Sequence, residues 1–386
     1  MGRPVGHIRI MASSRVILNL EKADAVFKKA FDKKFSALKK KGAEIKDAEI
    51  EAHEAAVNAY TDYVCCQKGI YKDDYDPRLG GRLFEKGIAF DFLEAALALN
   101  EKFEEPIVEV QLTCKDELES AVPIFRNIDL SGLKIEQRHA TAGRPLSQTE
   151  HEAFGTDLLL TRNAHDAQQA VDLGIAAAIM HMPPGEFVYK AEDGPVRLWF
   201  DGDAVAFGSS AELRFREEGL QAYKDLESQD FEKAVEPGPF TQILAKFSEL
   251  NSRFRRGEEP FELSLLTARG HTAAARVASI ARHHGIRFNG HTIFMGGAAK
   301  APVLNAHKPH MYFDDQLSHL KDLKCPAGLV RYPTDSPMHK YQTENGATDQ
   351  YDLMAEFEKS GHGHSSNDNS PKANRALIAA KPAPAA

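Results

Sequence analysis

Two stretches of this chain pass through the same succession of marks. Residues 99–106 read Leu-Asn-Glu-Lys-Phe-Glu-Glu-Pro. Residues 250–254 read Leu-Asn-Ser-Arg-Phe, and Glu258-Glu259-Pro260 follows a three-residue insertion. Seven residues beyond each proline an apolar run ends in threonine, at Thr113 and at Thr267. Thr161 follows Thr113 by 48 residues, and Asp314 follows Thr267 by 47. Any one match is weak, but the shared order points to a unit written twice at domain scale.

The pattern inside each unit defines its class. Residues 7–20 open with a buried strand, and 21–64 carry helical apolar spacing in a Lys-, Glu- and Ala-rich context. The lysines from Lys28 to Lys41 read as a solvated helix face, and 68–87 as a loop. Then come helix 88–103, strand 106–113, helix 116–127, strand 132–139, strand 156–161 and an Ala-rich helix 164–180. The second series runs strand 196–201, helix 209–234, helix 239–254, strand 260–267, helix 271–284, strand 291–295 and strand 309–314. Strands alternating with helices predict an α/β protein with a parallel, Rossmann-like sheet covered on both faces. The expected layout is a first half over 1–182 with a helical insertion at 21–87, a linker at 183–195, and a second half over 196–330. The tail over 360–386 is polar and Ala/Pro-rich, and disorder is expected there.

Composition excludes several classes. The net charge of −8 argues against a nucleic-acid polymer as partner. No run of about 18 apolar residues suggests a membrane span, and the N-terminus lacks the apolar core of a signal peptide. The four cysteines show neither zinc spacing nor a secreted disulfide framework. A cytoplasmic location is expected. Self-association into a homo-oligomer is left open.

The candidate chemistry lies at strand ends of the second half. Asp201-Gly202-Asp203 follows Val-Arg-Leu-Trp-Phe. Thr267 ends the Leu-Ser-Leu-Leu-Thr strand, with Ala268 and Arg269 next. Lys300 stands in Met-Gly-Gly-Ala-Ala-Lys-Ala-Pro, and Asp314-Asp315 follows His-Met-Tyr-Phe. Alone, each has a plain structural reading: a turn, a strand-end cap, a surface lysine, a helix N-cap. In a parallel sheet, however, these ends lie side by side, where ligands bind. Crowded carboxylates repel one another, and a divalent cation offsets that repulsion. The first half differs at the matching places, with Ser13-Ser14-Arg15 for Asp-Gly-Asp and Thr161-Arg162 for the acidic pair. It has lost the carboxylates and gained arginines. Arg15 and Arg162 are candidates for an anion or nucleotide effector.

The order Asp-x-Asp, Thr, Lys, Asp-Asp resembles the haloacid dehalogenase superfamily. The stretches Phe-Asp-Gly-Asp-Ala-Val, Leu-Leu-Thr-Ala-Arg, Gly-Ala-Ala-Lys-Ala-Pro and Phe-Asp-Asp-Gln look like the cytosolic type I 5′-nucleotidases, with Gly174–Ala178 and Ser13-Ser14-Arg15 upstream. The resemblance implies a haloacid dehalogenase-type sheet preceded by a degenerate copy of itself. It implies Mg²⁺-dependent hydrolysis of nucleoside 5′-monophosphates, AMP among them, through an aspartyl-phosphate. Asp201 would be the nucleophile and Asp203 the general acid–base. Asp201, Asp203, Asp314 and Asp315 would hold the metal, and Thr267, Ala268 and Lys300 the phosphate, with Arg269 near the substrate. A helical cap over 208–238 would offer Phe215, Tyr223 and Phe231 to the base, although aromatic core is the plainer reading of each. Two alternatives stay open: a phosphatase or phosphotransferase on another small phosphate ester, and a nucleotide-sensing binding protein.

Overall fold

The computed structural model describes residues 7–67, 71–181, 194–219 and 236–345. Its centre is one ten-stranded sheet. In chain order the strands are β1 Ile8–Ser13, β2 Val108–Cys114, β3 Gln137–Ala140, β4 Leu158–Thr161, β5 Ala176–His181, β6 Val196–Phe200, β7 Phe261–Thr267, β8 Thr292–Phe294, β9 Met311–Asp314 and β10 Ala327–Val330. They lie in the order β8-β7-β6-β9-β10-β5-β4-β1-β2-β3. Each half therefore follows one plan: a first strand in the middle, the next two stepping outward on one side, the last two on the other. All pairs within a half are parallel. The halves join where β5 and β10 pair antiparallel, Ala178 opposite Val330 and His181 opposite Ala327.

Side chains alternate across the sheet, so each strand feeds two cores. Ile8, Ile10 and Ala12 enter one core, while Met11 enters the other. Leu198 and Phe200 share the first core, and Trp199 lies in the second. Helices Phe90–Ala98, Leu118–Ser131, Thr241–Asn251 and Ala274–His283 pack on the first face; Ala164–Asp172 and Ala301–His307 pack on the second. Burial on both faces explains unbroken apolar strands such as Leu158-Leu159-Leu160.

The repeated sequence marks have matching structural roles. Asn100 accepts from the amides of Ile107 and Val108 and donates to the Val108 carbonyl. Asn251 accepts from the Phe261 amide and donates to its carbonyl. Each asparagine thus ties a helix end to the start of a strand. The phenylalanines three residues further on, Phe103 and Phe254, meet each other with ring centroids 4.9 Å apart.

The helical expectation for 164–180 needs correction. The helix stops at Asp172, Gly174 turns the chain at a φ of 76°, and 176–181 is a strand. Alanine favours helix, yet Ala177 and Ala178 lie fully buried between β4 and β10, and tertiary pairing overrides propensity. The insertion at 21–64 forms two helices, Glu21–Lys40 and Ile45–Val64. A two-stranded ribbon, Tyr75–Asp76 with Gly81–Arg82, follows it where the sequence suggested only loop. Most of the linker, all of the tail, Tyr223 and Phe231 lie outside the described residues. The side chain of Phe215, in helix Ser210–Glu218, is also outside them.

Candidate active site

Strand β6 runs between β7 and β9, so its end faces the crossing point of the second half. The Asp201 amide donates to the Phe313 carbonyl at 2.8 Å, which ties the residue after β6 to the tip of β9. The chain then reverses over residues 202–206, with Asp203 extended and Ala204 at a φ of 59°. At Gly202 a β-carbon would lie 3.1 Å from Thr267 Oγ1, so a side chain there would press on Thr267. That approach places Thr267 beside the turn. Beyond it, the Gly208 amide donates to the Glu236 carbonyl at 2.8 Å, closing the neck of the 208–238 insertion.

The loop after β8 delivers the lysine. Met295, Gly297 and Gly296 donate amides to the carbonyls of Thr267, Ala268 and Arg269, so this loop is laced to the one after β7. Lys300 then opens helix Ala301–His307. Its ammonium lies 2.8 Å from Asp201 Oδ1 and 2.7 Å from Asp314 Oδ2. All three are buried: Asp201 3%, Lys300 2% and Asp314 0% exposed.

Other groups hold Asp314. The Gln316 amide donates to Oδ1 at 2.8 Å, the Tyr312 hydroxyl donates to Oδ2, and His319 Nδ1 lies 3.0 Å from Oδ1. Burial pushes the Asp201 carboxyl up to about 7, against the pull of Lys300 and with Asp314 adding to the rise. Burial acts on Asp314 in the same sense, but Lys300 and His319 outweigh it and hold that carboxyl below its usual range. Desolvation alone would lower the Lys300 ammonium; the two aspartates outweigh it and raise it. With both carboxylates ionised, two negative charges would face one ammonium in a dry pocket. Asp201, Asp314 and His319 each offer a ligand atom, all within 4.8 Å of one another. This set, dominated by hard carboxylate oxygens, fits a divalent cation, whose charge would offset the excess.

The remaining sequence candidates take other partners. Asp203 is gripped by Arg269, with Nε donating to Oδ2 at 2.7 Å and a terminal nitrogen donating to Oδ1. Asp315 accepts from the Tyr332 hydroxyl. Neither belongs to the cluster of Asp201, Asp314 and His319. Thr267 Oγ1 accepts from the Arg269 amide at 3.2 Å. Arg15 and Arg162 belong to the first half, where both line one cavity at the strand tips. Sequence reasoning missed Tyr312, His319 and Tyr332. Tyr312 carried a signal, since a residue two before Asp314 on a strand points to the same side. His319 and Tyr332 carried none, because their placement depends on how the chain returns after β9 and β10.

This geometry agrees with the comparisons with known proteins. The family model described as 5′-nucleotidase matches residues 69–336. The chain belongs to the 5′-nucleotidase family. Among curated proteins it is similar to a human protein named cytosolic 5′-nucleotidase 1B, 27% identical over 258 residues. That match covers 64% of this chain and 42% of the human protein's length.

Proposed function

We propose that the second half is a Mg²⁺-dependent 5′-nucleotidase of the haloacid dehalogenase type, acting in the cytoplasm on nucleoside 5′-monophosphates such as AMP. The observation that carries this reading is the convergence of Asp201, Asp314 and Lys300 at the tips of β6 and β9. The shared strand plan, the paired asparagines and the Phe103–Phe254 contact support the first half as a degenerate copy of the second. A duplicated unit packed about a pseudo-two-fold axis brings equivalent residues together in this way.

In this reading Asp201 attacks phosphorus, and the bond from phosphorus to the ribose 5′-oxygen breaks. Asp203 gives that oxygen its proton. It then takes a proton from water, whose oxygen displaces Asp201 and leaves phosphate. Such acid–base help contributes about 10²–10⁴-fold. Before this transfer Asp203 must exchange its bond to Arg269 for one to substrate. Lys300, Thr267 and the backbone at Ala268 face the phosphoryl oxygens and stabilise their charge. Asp201 and Asp314 would hold Mg²⁺, which supplies positive charge to the phosphoryl group; Asp315, fixed by Tyr332, braces Asp314.

The test is phosphate release from a panel of nucleoside and sugar monophosphates, with and without Mg²⁺. Metal-dependent turnover of nucleoside monophosphates is expected, and Asp201→Asn should lower it by about 10³-fold or more. Full activity of that variant in saturating Mg²⁺ would remove the proposal.

A further inference from the structure

Asp203, the proton donor of the proposed hydrolysis, stands on a turn that its own backbone holds loosely. The Ala204 amide lies 3.5 Å from the Gly208 carbonyl, and the Ala206 amide 3.3 Å from that of Asp201. Of the three bonds across the turn, the one from Phe207 to Gly202, at 2.9 Å, has ordinary length. Ala204 stands at a φ of 59°, where residues other than glycine seldom go. Such a conformation persists where the surroundings impose it.

Two different bodies of the protein supply those surroundings. Val205, Ala206 and Phe207 enter the first core, and the Thr241 hydroxyl donates to the Ala206 carbonyl at 2.8 Å. Ala204 turns away from them. It is 1% exposed and belongs to a small third core with Tyr332 and Met338, against which Leu213 and Tyr341 pack. Tyr332, Met338 and Tyr341 come from the segment that follows β10, beyond both repeated halves. That segment is itself pinned. The Thr334 amide donates to Asp172 at 2.8 Å, and the Ser336 amide closes a turn on the Pro333 carbonyl at 3.0 Å. The Ser336 hydroxyl accepts from the His339 amide at 3.2 Å and starts helix Pro337–Asn345. Along this helix Pro337, Lys340, Thr343 and Glu344 are exposed, whereas Met338 is fully buried.

We infer that residues 331–345 brace the turn that carries Asp203, and that Met338 is a positioning residue for this acid. A general acid must lie within hydrogen-bond reach of the atom it protonates. Asp203 has to release Arg269 and reach the ribose 5′-oxygen, so its side chain must swing while its backbone stays fixed. A fixed Ala204, one residue on, provides that fixed backbone. The inference rests on the proposed hydrolysis and assigns part of it to a segment outside the second half.

Two substrates separate a lost aim from a general loss of fold. AMP releases an alkoxide, which needs a proton as it departs; p-nitrophenyl phosphate releases a phenolate, which does not. With Mg²⁺ present, Met338→Ala should lower kcat on AMP by about tenfold or more and on p-nitrophenyl phosphate by less than about threefold, with KM little changed. Met338→Leu, close in volume, should keep most of the AMP rate. Ala204→Gly guards against misfolding, since glycine accepts that φ, and loss of the methyl should reproduce the selective effect. In an Asp203→Asn background Met338→Ala should cost nothing further on AMP. Equal losses on the two substrates, or a full AMP rate in Met338→Ala, would overturn the inference. Hydrogen exchange gives a reading without turnover: amides 203–207 should exchange faster in Met338→Ala, and unchanged exchange counts against the brace. If the unaltered chain releases no phosphate from either substrate, the hydrolysis proposal has failed and this one with it; an active chain indifferent to Met338 sinks the brace alone.

Discussion

The two halves share a backbone plan and differ in what stands on it. At the tip of the central strand one half has Asp201 and the other Ser13. Two residues past the threonine that ends the neighbouring strand, one has Arg269 and the other Lys115. At the tip across the crossing point one has Asp314 and the other Thr161; five residues further stand His319 and Asp166. In the second half this set leaves an excess of buried negative charge around Lys300. In the first, Arg15 lies 2.9 Å from Asp24 and 3.9 Å from Asp116, and Lys115 lies 3.1 Å from Asp166. Strand order thus decides where a site lies, and a few side chains decide whether it can do chemistry or only hold a ligand.

The sharpest way to break this comparison is to empty the second half of its cation. Lys300→Met leaves Asp201 and Asp314 facing each other without compensation. Phosphate release should fall by about 10²–10³-fold. Stability in metal-free buffer should fall by about 3–5 kcal/mol, read from denaturant unfolding. Added Mg²⁺ should recover part of the stability and little of the rate. If the variant unfolds like the parent, the two carboxylates are not the buried pair described.

A smaller effect is expected where the halves are tied together. Gln168, in the helix that follows β4, donates to the Tyr332 carbonyl at 2.9 Å, and the Thr334 amide donates to Asp172 at 2.8 Å. The Tyr332 hydroxyl donates to Asp315 beside the candidate active site. Tyr332→Phe removes only that last bond. It should cost about 1 kcal/mol in stability and lower kcat several-fold with KM little changed. An unchanged kcat would show that bracing Asp315 is irrelevant to turnover.

The mildest test uses a place where the halves do the same job with different groups. The Arg9 amide donates to Asp157 at 2.8 Å, and the corresponding Arg197 amide donates to His310 Nδ1 at 3.0 Å. Burial, with Arg197 adding to it, pushes His310 down to about 3. Below about pH 6.5 the unfolded chain binds a proton there that the folded chain refuses. The second half should therefore lose stability as pH falls from 6.5 toward 3, by at most about 1.4 kcal/mol per pH unit. His310→Asn keeps an acceptor and removes the titration, so its acid limb should be shallower. Identical limbs in the two proteins would refute the assignment.

Much of this architecture was legible in the residues. Alternating strand and helix periods, and the Leu-Asn…Phe…Pro marks, announced two α/β units, because periodicity is a local property. The spacing of Asp201, Thr267, Lys300 and Asp314 announced a shared site, because the ends of parallel strands must lie together. The helix read over 164–180 failed at 176–181, because alanines give no local sign of being pinned between two strands. The grip of Arg269 on Asp203, the approach of His319 and the reach of Tyr332 to Asp315 were equally invisible. Each depends on two segments far apart in the chain meeting at one register. Residue type and period determine what an element is and what its tip can offer; only the packed sheet determines which tips meet and which charges are left over.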